Sequence, residues 1–166
     1  MKYLYLEPSA LFKAYIPEKG SDNVEYVLQL LGKDIMGITS RWTILEITRG
    51  IIKRRNIGEL TQKEALQIIN FFLDDIKEMV ALRKLSLIDV TRKIIQEALN
   101  LIIEYNLYAA DAIHVKTAEI YGAIAIITDD RHVLKLKNAT RISVISVEKH
   151  MDEFKLQLHQ LIRNKR

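Results

Sequence analysis

Five acidic residues occupy positions where a carboxylate can do chemistry rather than only meet solvent. Glu7 closes an opening strand-like run, Lys2 to Glu7, and Asp129 and Asp130 follow a second one, Ala123 to Thr128. In parallel α/β sheets, sites form at the carboxyl ends of strands, near a switch in strand order. Asp111 falls in the first turn of a helix that is otherwise small and apolar: Ala109, Ala110, Ala112, Ile113, Val115 and Ala118. A carboxylate there is costly unless it is paired, hydrogen-bonded or bound to a metal. The helix N-terminus favours the anion by only about 0.3–1 kcal/mol, so a cation is the natural further partner. Glu46 lies between Leu45 and Ile47 near the start of another helix, with Arg49 at ion-pair spacing.

Cysteine is absent, which removes disulfides, thiolate catalysis and zinc–thiolate sites. A metal site in this chain must use carboxylate, imidazole or carbonyl ligands, and oxygen-rich sets favour Mg²⁺, Mn²⁺ or Ca²⁺. The formal net charge of +4 suits a polyanionic partner such as RNA. No Gly-rich phosphate loop of the GxGxxG or GxxxxGK[ST] kind is present. There is no apolar run long enough for a transmembrane helix, and the acid at Glu7 comes too early for a signal peptide, so no membrane association and a cytoplasmic location are expected.

The elements that must position these acids alternate between strand and helix, which predicts an α/β fold with a mostly parallel central sheet flanked by helices. The 166 residues, 49% of them hydrophobic, suit one domain with one core. Strands are expected at Lys2–Glu7, Ile35–Thr39, Leu85–Val90, Ala123–Thr128 and Ile142–Val147. Pro8-Ser9 starts the first helix, Ser21 or Asp22 caps the second, and Ser40 caps a third that runs to about Arg55. Thr61 to Met79 is strongly amphipathic, with Ala65, Ile69, Phe72, Ile76 and Met79 on one stripe. Thr91 to Tyr105 carries Ile95, Leu99 and Ile102 on one face, and Glu148 to Ile162 forms a last helix with Met151, Phe154, Leu158 and Leu161 in register.

Three stretches together resemble the PIN-domain family. The run Tyr5-Leu6-Glu7-Pro8-Ser9-Ala10-Leu11 resembles the family's Asp-x-Ser-Ala-Leu opening. Asp111-Ala112-Ile113-His114 resembles its Asp-Ala-hydrophobic-His motif, and Thr128-Asp129-Asp130 its Thr-x-Asp motif. Glu46, before a basic stretch, stands where the family places its second acid. The VapC toxins of toxin–antitoxin pairs are similar in size and order. The resemblance implies a Rossmann-like three-layer PIN domain over residues 1–147, with residues 148–166 as a C-terminal helix packed on the same domain or on a dimer mate.

It also implies a metal-dependent ribonuclease. Glu7, Glu46, Asp111 and Asp130 would be catalytic, and Glu7, Asp111, Asp130 and Asp129 would hold Mg²⁺ or Mn²⁺. Ser9 and Thr128 would orient a carboxylate or a water. Crowded carboxylates repel, and without a cation some would be protonated near neutral pH. RNA, a cognate antitoxin and a second copy of the chain are the implied partners. The family's first acid is usually Asp. The extra methylene of Glu7 shifts the carboxylate by about one C–C bond, which disfavours Mg²⁺ with its strict octahedral geometry. The alternative reading is therefore a PIN-fold RNA- or protein-binding module with weak or lost nuclease activity.

Each residue also has a plainer role open to it. Glu7 can end a strand in solvent, Glu46 can pair at the surface, Asp111 can serve a helix end, and Asp129-Asp130 can form a turn and N-cap. His114 shares a helical face with Asp111 and reads first as a packed, hydrogen-bonded histidine. Lys53, Arg54 and Arg55 either complement the helix dipole or hold RNA phosphates. Arg131, Lys135 and Lys137 are further phosphate candidates on the rim near Asp130. Phe71 and Leu73, flanking the amphipathic stripe, suit a homodimer interface.

Overall fold

The strand from Ala123 to Thr128 has every residue buried, as a central strand covered on both faces requires. The computed structural model describes residues 1–32 and 34–164; residues 165 and 166 of the expected C-terminal segment lie outside the described residues. In chain order the elements are β1 (Lys2–Leu6), α1 (Pro8–Phe12), α2 (Ser21–Leu30), β2 (Ile35–Ser40), α3 (Trp42–Asn56), α4 (Gln62–Ala81) and β3 (Leu85–Ile88). They continue with α5 (Arg92–Tyr105), α6 (Ala109–Ile120), β4 (Ala123–Thr128), α7 (Arg131–Lys135), β5 (Ser143–Ser146) and α8 (Met151–Asn164).

The strands form one sheet in the order β3-β2-β1-β4-β5, and every pairing is parallel. From β1 the chain builds outward through β2 and β3, then crosses to β4 on the other flank. β1 and β4 are thus neighbours at the switch in strand order, where open α/β sheets form their crevice. Leu6 stands in register with Ile127, so Glu7 and the Thr128–Asp130 segment emerge side by side.

Each face of the sheet has its own core. Leu4, Leu6, Ala125 and Ile127 pack with Leu11 of α1, Ile47 and Ile51 of α3, Phe72 and Ile76 of α4, and Phe154 and Leu158 of α8. Tyr5, Ile38, Ile126 and Val144 face the other way, onto Ile94 and Ala98 of α5 and Ala112, Val115 and Ala118 of α6. The register of β4 against β1 shifts after Ala123. Ile124 and Ala125 consequently both face the first core, and the alternation resumes at Ile126.

Local chemistry explains the boundaries. Thr61 and Glu64 form a reciprocal capping box at the start of α4. Ser40 Oγ accepts the Trp42 N–H at 3.1 Å at the start of α3. α2 is preceded by Gly20 at φ 92°, not by a side-chain cap from Ser21 or Asp22. A Cβ on Gly20 would lie 2.6 Å from the Val147 carbonyl oxygen, so the close approach of α2 to the end of β5 requires glycine.

The α5 stripe is a correction. Ile94, Ala98 and Leu101 are buried, while Ile95 and Leu99 are half exposed. Both stripes are apolar at helical spacing, and contact with α6 and the sheet selects between them.

Candidate active site

Glu7 is the residue just beyond β1 and the N-cap of α1. It is 4% exposed. Its Oε2 accepts the Ser9 N–H at 3.0 Å, the Thr128 hydroxyl at 2.9 Å, and the Ser9 hydroxyl. Ser9 Oγ in turn accepts the Asp129 N–H at 2.8 Å, and Thr128 Oγ1 accepts the Asp130 N–H at 2.9 Å. Two hydroxyls therefore bind the ends of β1 and β4 together through the Glu7 carboxylate. Burial pushes the Glu7 carboxyl up to about 7, against the opposing pull of His114 and these donors.

Asp130 caps α7, its Oδ1 accepting the His132 N–H at 2.6 Å and the Val133 N–H at 3.1 Å. Across from it, in the first turn of α6, Asp111 is pushed up to about 6 by burial and then by the charge of Asp130. Asp111 Oδ2 is buried and has no hydrogen-bond partner. An unpartnered buried carboxylate oxygen is costly, and the charge of Asp130 adds to that cost.

Glu46 projects from α3 to the buried His114 of α6: Nε2 to Oε2 is 2.5 Å. His114 Nδ1 lies 2.6 Å from the Tyr5 hydroxyl, which accepts the Ser40 N–H at 3.1 Å. These bonds are satisfied together when Tyr5 donates to Nδ1 and Nε2–H donates to Glu46. Arg49 takes no part, since Glu46 turns inward to the imidazole. The Glu46 charge raises Asp111 slightly, which places it within electrostatic reach of the other acids.

A family model described as PIN domain matches residues 4–139. The chain belongs to the PIN-domain family. No curated protein matches it. Among solved structures, FitAcB from Neisseria gonorrhoeae is similar, with 15% identity, TM-score 0.62, and coverage of 87% of this chain and 97% of that one. VapC20 of Mycobacterium tuberculosis, described as a sarcin-ricin loop cleaving toxin, shares 11% identity at TM-score 0.57 over 80% of this chain and 93% of its own. VapBC-5 of the same organism, described as a member of the VapBC family of toxin-antitoxin systems, shares 15% identity at TM-score 0.55 over 88% of this chain and 99% of its own. At these identities the likeness is one of fold.

In this PIN domain the four acids Glu7, Glu46, Asp111 and Asp130 come from different elements and converge beyond the ends of β1 and β4. Among the described residues no three His, Asp or Glu groups are drawn close enough to enclose a metal ion as they stand. Asp130 and Glu46 are turned toward their own hydrogen-bond partners. The donor set nevertheless suits a hard cation: all oxygens, one of them orphaned, and two carboxyls raised by burial and crowding.

Asp129 lies in a second cluster of charges. Its Oδ2 bonds Lys13 Nζ at 2.9 Å, and Lys13, 4% exposed, also contacts Glu18 at 3.3 Å and Glu148 at 3.7 Å. Asp129 therefore joins this cluster, while Asp130 caps α7. The importance of Lys13 is invisible in the sequence, where it reads as an ordinary helix lysine.

The basic residues also separate. Arg54 is engaged by Glu18 and by Glu59, the latter at 2.7 Å. Arg55 bonds Asn56 and Gln62. Lys53 and Arg131 stay exposed. A cleft of about 460 Å³ runs past Ser9, Phe12, Glu46, Lys53 and Asp129; Asp111 and Asp130 are not part of its lining.

Proposed function

We propose that this protein is a Mg²⁺- or Mn²⁺-dependent endoribonuclease, a VapC-like toxin acting in the cytoplasm and held in check by a cognate antitoxin. The observation that carries the reading is the orphaned, buried Asp111 oxygen, on a carboxyl that also feels the charge of Asp130. Asp111, Asp130 and Glu7 would hold the ion, with Glu46 completing the set. When bound, the ion supplies charge neutralisation and an acidified water for phosphodiester hydrolysis.

The chain's own residues do the positioning. Ser9 and Thr128 fix the Glu7 carboxylate, and the α7 N-terminus fixes Asp130. His114 fixes Glu46. Lys53 and Arg131 lie exposed on the rim to take phosphates. The antitoxin and the RNA substrate are proposed from proteins of like fold described as a member of a family of toxin-antitoxin systems and as a sarcin-ricin loop cleaving toxin. A homodimer is part of the proposal. Phe71 on α4 is 63% exposed and offers apolar surface for it. We place the boundary between the PIN domain and the C-terminal helix near residue 147, with α8 packed on the first core through Phe154 and Leu158.

The test is cleavage of single-stranded RNA by the purified chain with Mn²⁺ or Mg²⁺. EDTA should stop it, and Asp111→Asn should lower the rate by about 100-fold or more. Undiminished cleavage by that variant rejects the site.

The second reading, a PIN-fold binding module with lost catalysis, is favoured by Glu7. The carboxylate oxygen that accepts the Ser9 and Thr128 donors is already occupied, and its pKa is high. A Glu7→Asp variant that gains metal affinity and cleavage sharply over the native chain supports it. Efficient cleavage by the native chain refutes it.

A further inference from the structure

The outer face of α3 carries a feature that the acidic site does not use. Trp42, Leu45, Glu46, Arg49, Gly50 and Lys53 line a shallow trough of about 530 Å³. They recur at helical spacing from the first residue of α3, and the stripe runs about 16 Å at 1.5 Å per residue. Trp42 is 44% exposed and Leu45 60% exposed. An indole left half in water beside an exposed leucine is the kind of surface that calls for explanation.

The rest of the trough says what kind of ligand fits. Arg49 and Lys53 are exposed and form no ion pair among the described residues. By contrast Arg54, one residue on, is held by Glu18 and Glu59. The trough includes Glu46, so one edge of it is the acidic site itself. A purely apolar stripe would suit a partner helix. An aromatic face followed by two free cations, alongside an acid of the cleavage site, matches the stacking-plus-backbone pattern for single-stranded nucleic acid.

We propose that Trp42 is a stacking platform for a base of single-stranded RNA beside the scissile phosphate, with Arg49 and Lys53 holding the backbone that leads away along α3. The proposal rests on the ribonuclease reading. It adds to it a preference for unpaired RNA, because a base can lie on the indole only when it is free of a partner strand.

Trp42 is the only tryptophan in the chain, so its emission reports on this place alone. The experiment titrates the full-length protein in EDTA with single-stranded oligoadenylate, with the same oligomer in duplex form as the comparison. Single strands should quench the emission, and duplex should not. In fluorescence anisotropy with labelled oligoadenylate, Trp42→Ala should weaken binding about 10-fold or more while Trp42→Phe retains most of it. Arg49→Ala with Lys53→Ala should weaken binding and flatten its salt dependence.

Unchanged emission on saturation, with equal binding by Trp42→Ala, overturns the platform; cleavage by the same protein would leave the ribonuclease reading intact. Quenching with no cleavage by any metal-loaded sample keeps the platform and removes the nuclease. An emission shift that follows protein concentration without RNA, with a self-association that Trp42→Ala abolishes, assigns the stripe to a protein interface and overturns the proposal.

Discussion

His114 Nε2 stands 2.5 Å from the Glu46 carboxylate, so an acid on α3 is held by a buried imidazole on α6. Two elements on opposite sides of β1 are thereby tied together at the mouth of the site. Removing the imidazole frees Glu46 and strands the Tyr5 hydroxyl. His114→Ala should therefore lower both Mn²⁺ affinity and RNA cleavage by about 10- to 100-fold, the range for groups that orient a metal ligand. Isothermal titration with Mn²⁺ and steady-state cleavage check this, and wild-type values in both would show that Glu46 needs no support.

The two raised carboxyls make stability depend on pH in an unusual direction. Glu7 and Asp111 move from 4.5 and 3.8 to about 7 and about 6 on folding. Between the unfolded and folded values the native state binds more protons than the unfolded one, so stability falls as pH rises. Metal-free protein should lose stability from about pH 4 to about pH 7 by a few kcal/mol: the buried Glu7 contributes most of it at about 1.4 kcal/mol per pKa unit, and solvent screening reduces the share of the half-buried Asp111. Urea melts in EDTA at several pH values measure it. Added Mn²⁺, which binds the deprotonated forms, should offset the loss most at the high end.

Glu7→Gln separates these effects. The amide keeps nearly the same shape without the buried charge, so metal-free stability at pH 8 should rise by about 1–3 kcal/mol and hardly change at pH 4.5. The same variant should lose Mn²⁺ binding. A drop in stability at both pH values would mean that the donors from Ser9 and Thr128 outweigh burial.

Lys13 holds the other side of the β4 end. Lys13→Met would leave Asp129 without its cation beside Glu18 and Glu148, which keep Arg54 and Lys19, at a cost of about 2–4 kcal/mol. Adding Asp129→Asn should recover part of that. Denaturant midpoints of the single and double variants give the coupling, and simple additivity would dismiss the cluster.

Gly20→Ala should cost about 3 kcal/mol, from a left-handed backbone and from forcing a methyl group against the Val147 carbonyl. Thermal melting checks it, and a shift of less than a degree would contradict the close approach of α2 to β5.

The sequence by itself determined the order of elements and the family. Apolar runs such as Ala123–Thr128 and the stripe of Thr61–Met79 fix strand and helix through their own periodicity, which is a local property. Motif residues at strand ends and in a first helical turn, Glu7, Asp111 and Asp130, were legible for the same reason. Only the tertiary structure decided which groups meet. It gave Asp129 to Lys13, Glu46 to His114 rather than Arg49, and Arg54 to Glu18. It also chose Ile94 over Ile95 as the buried edge of α5. Each of these outcomes depends on the direction of a side chain relative to an element distant in sequence. Direction is set by crossing angles, register and burial, and none of those is written in the spacing of residues along the chain.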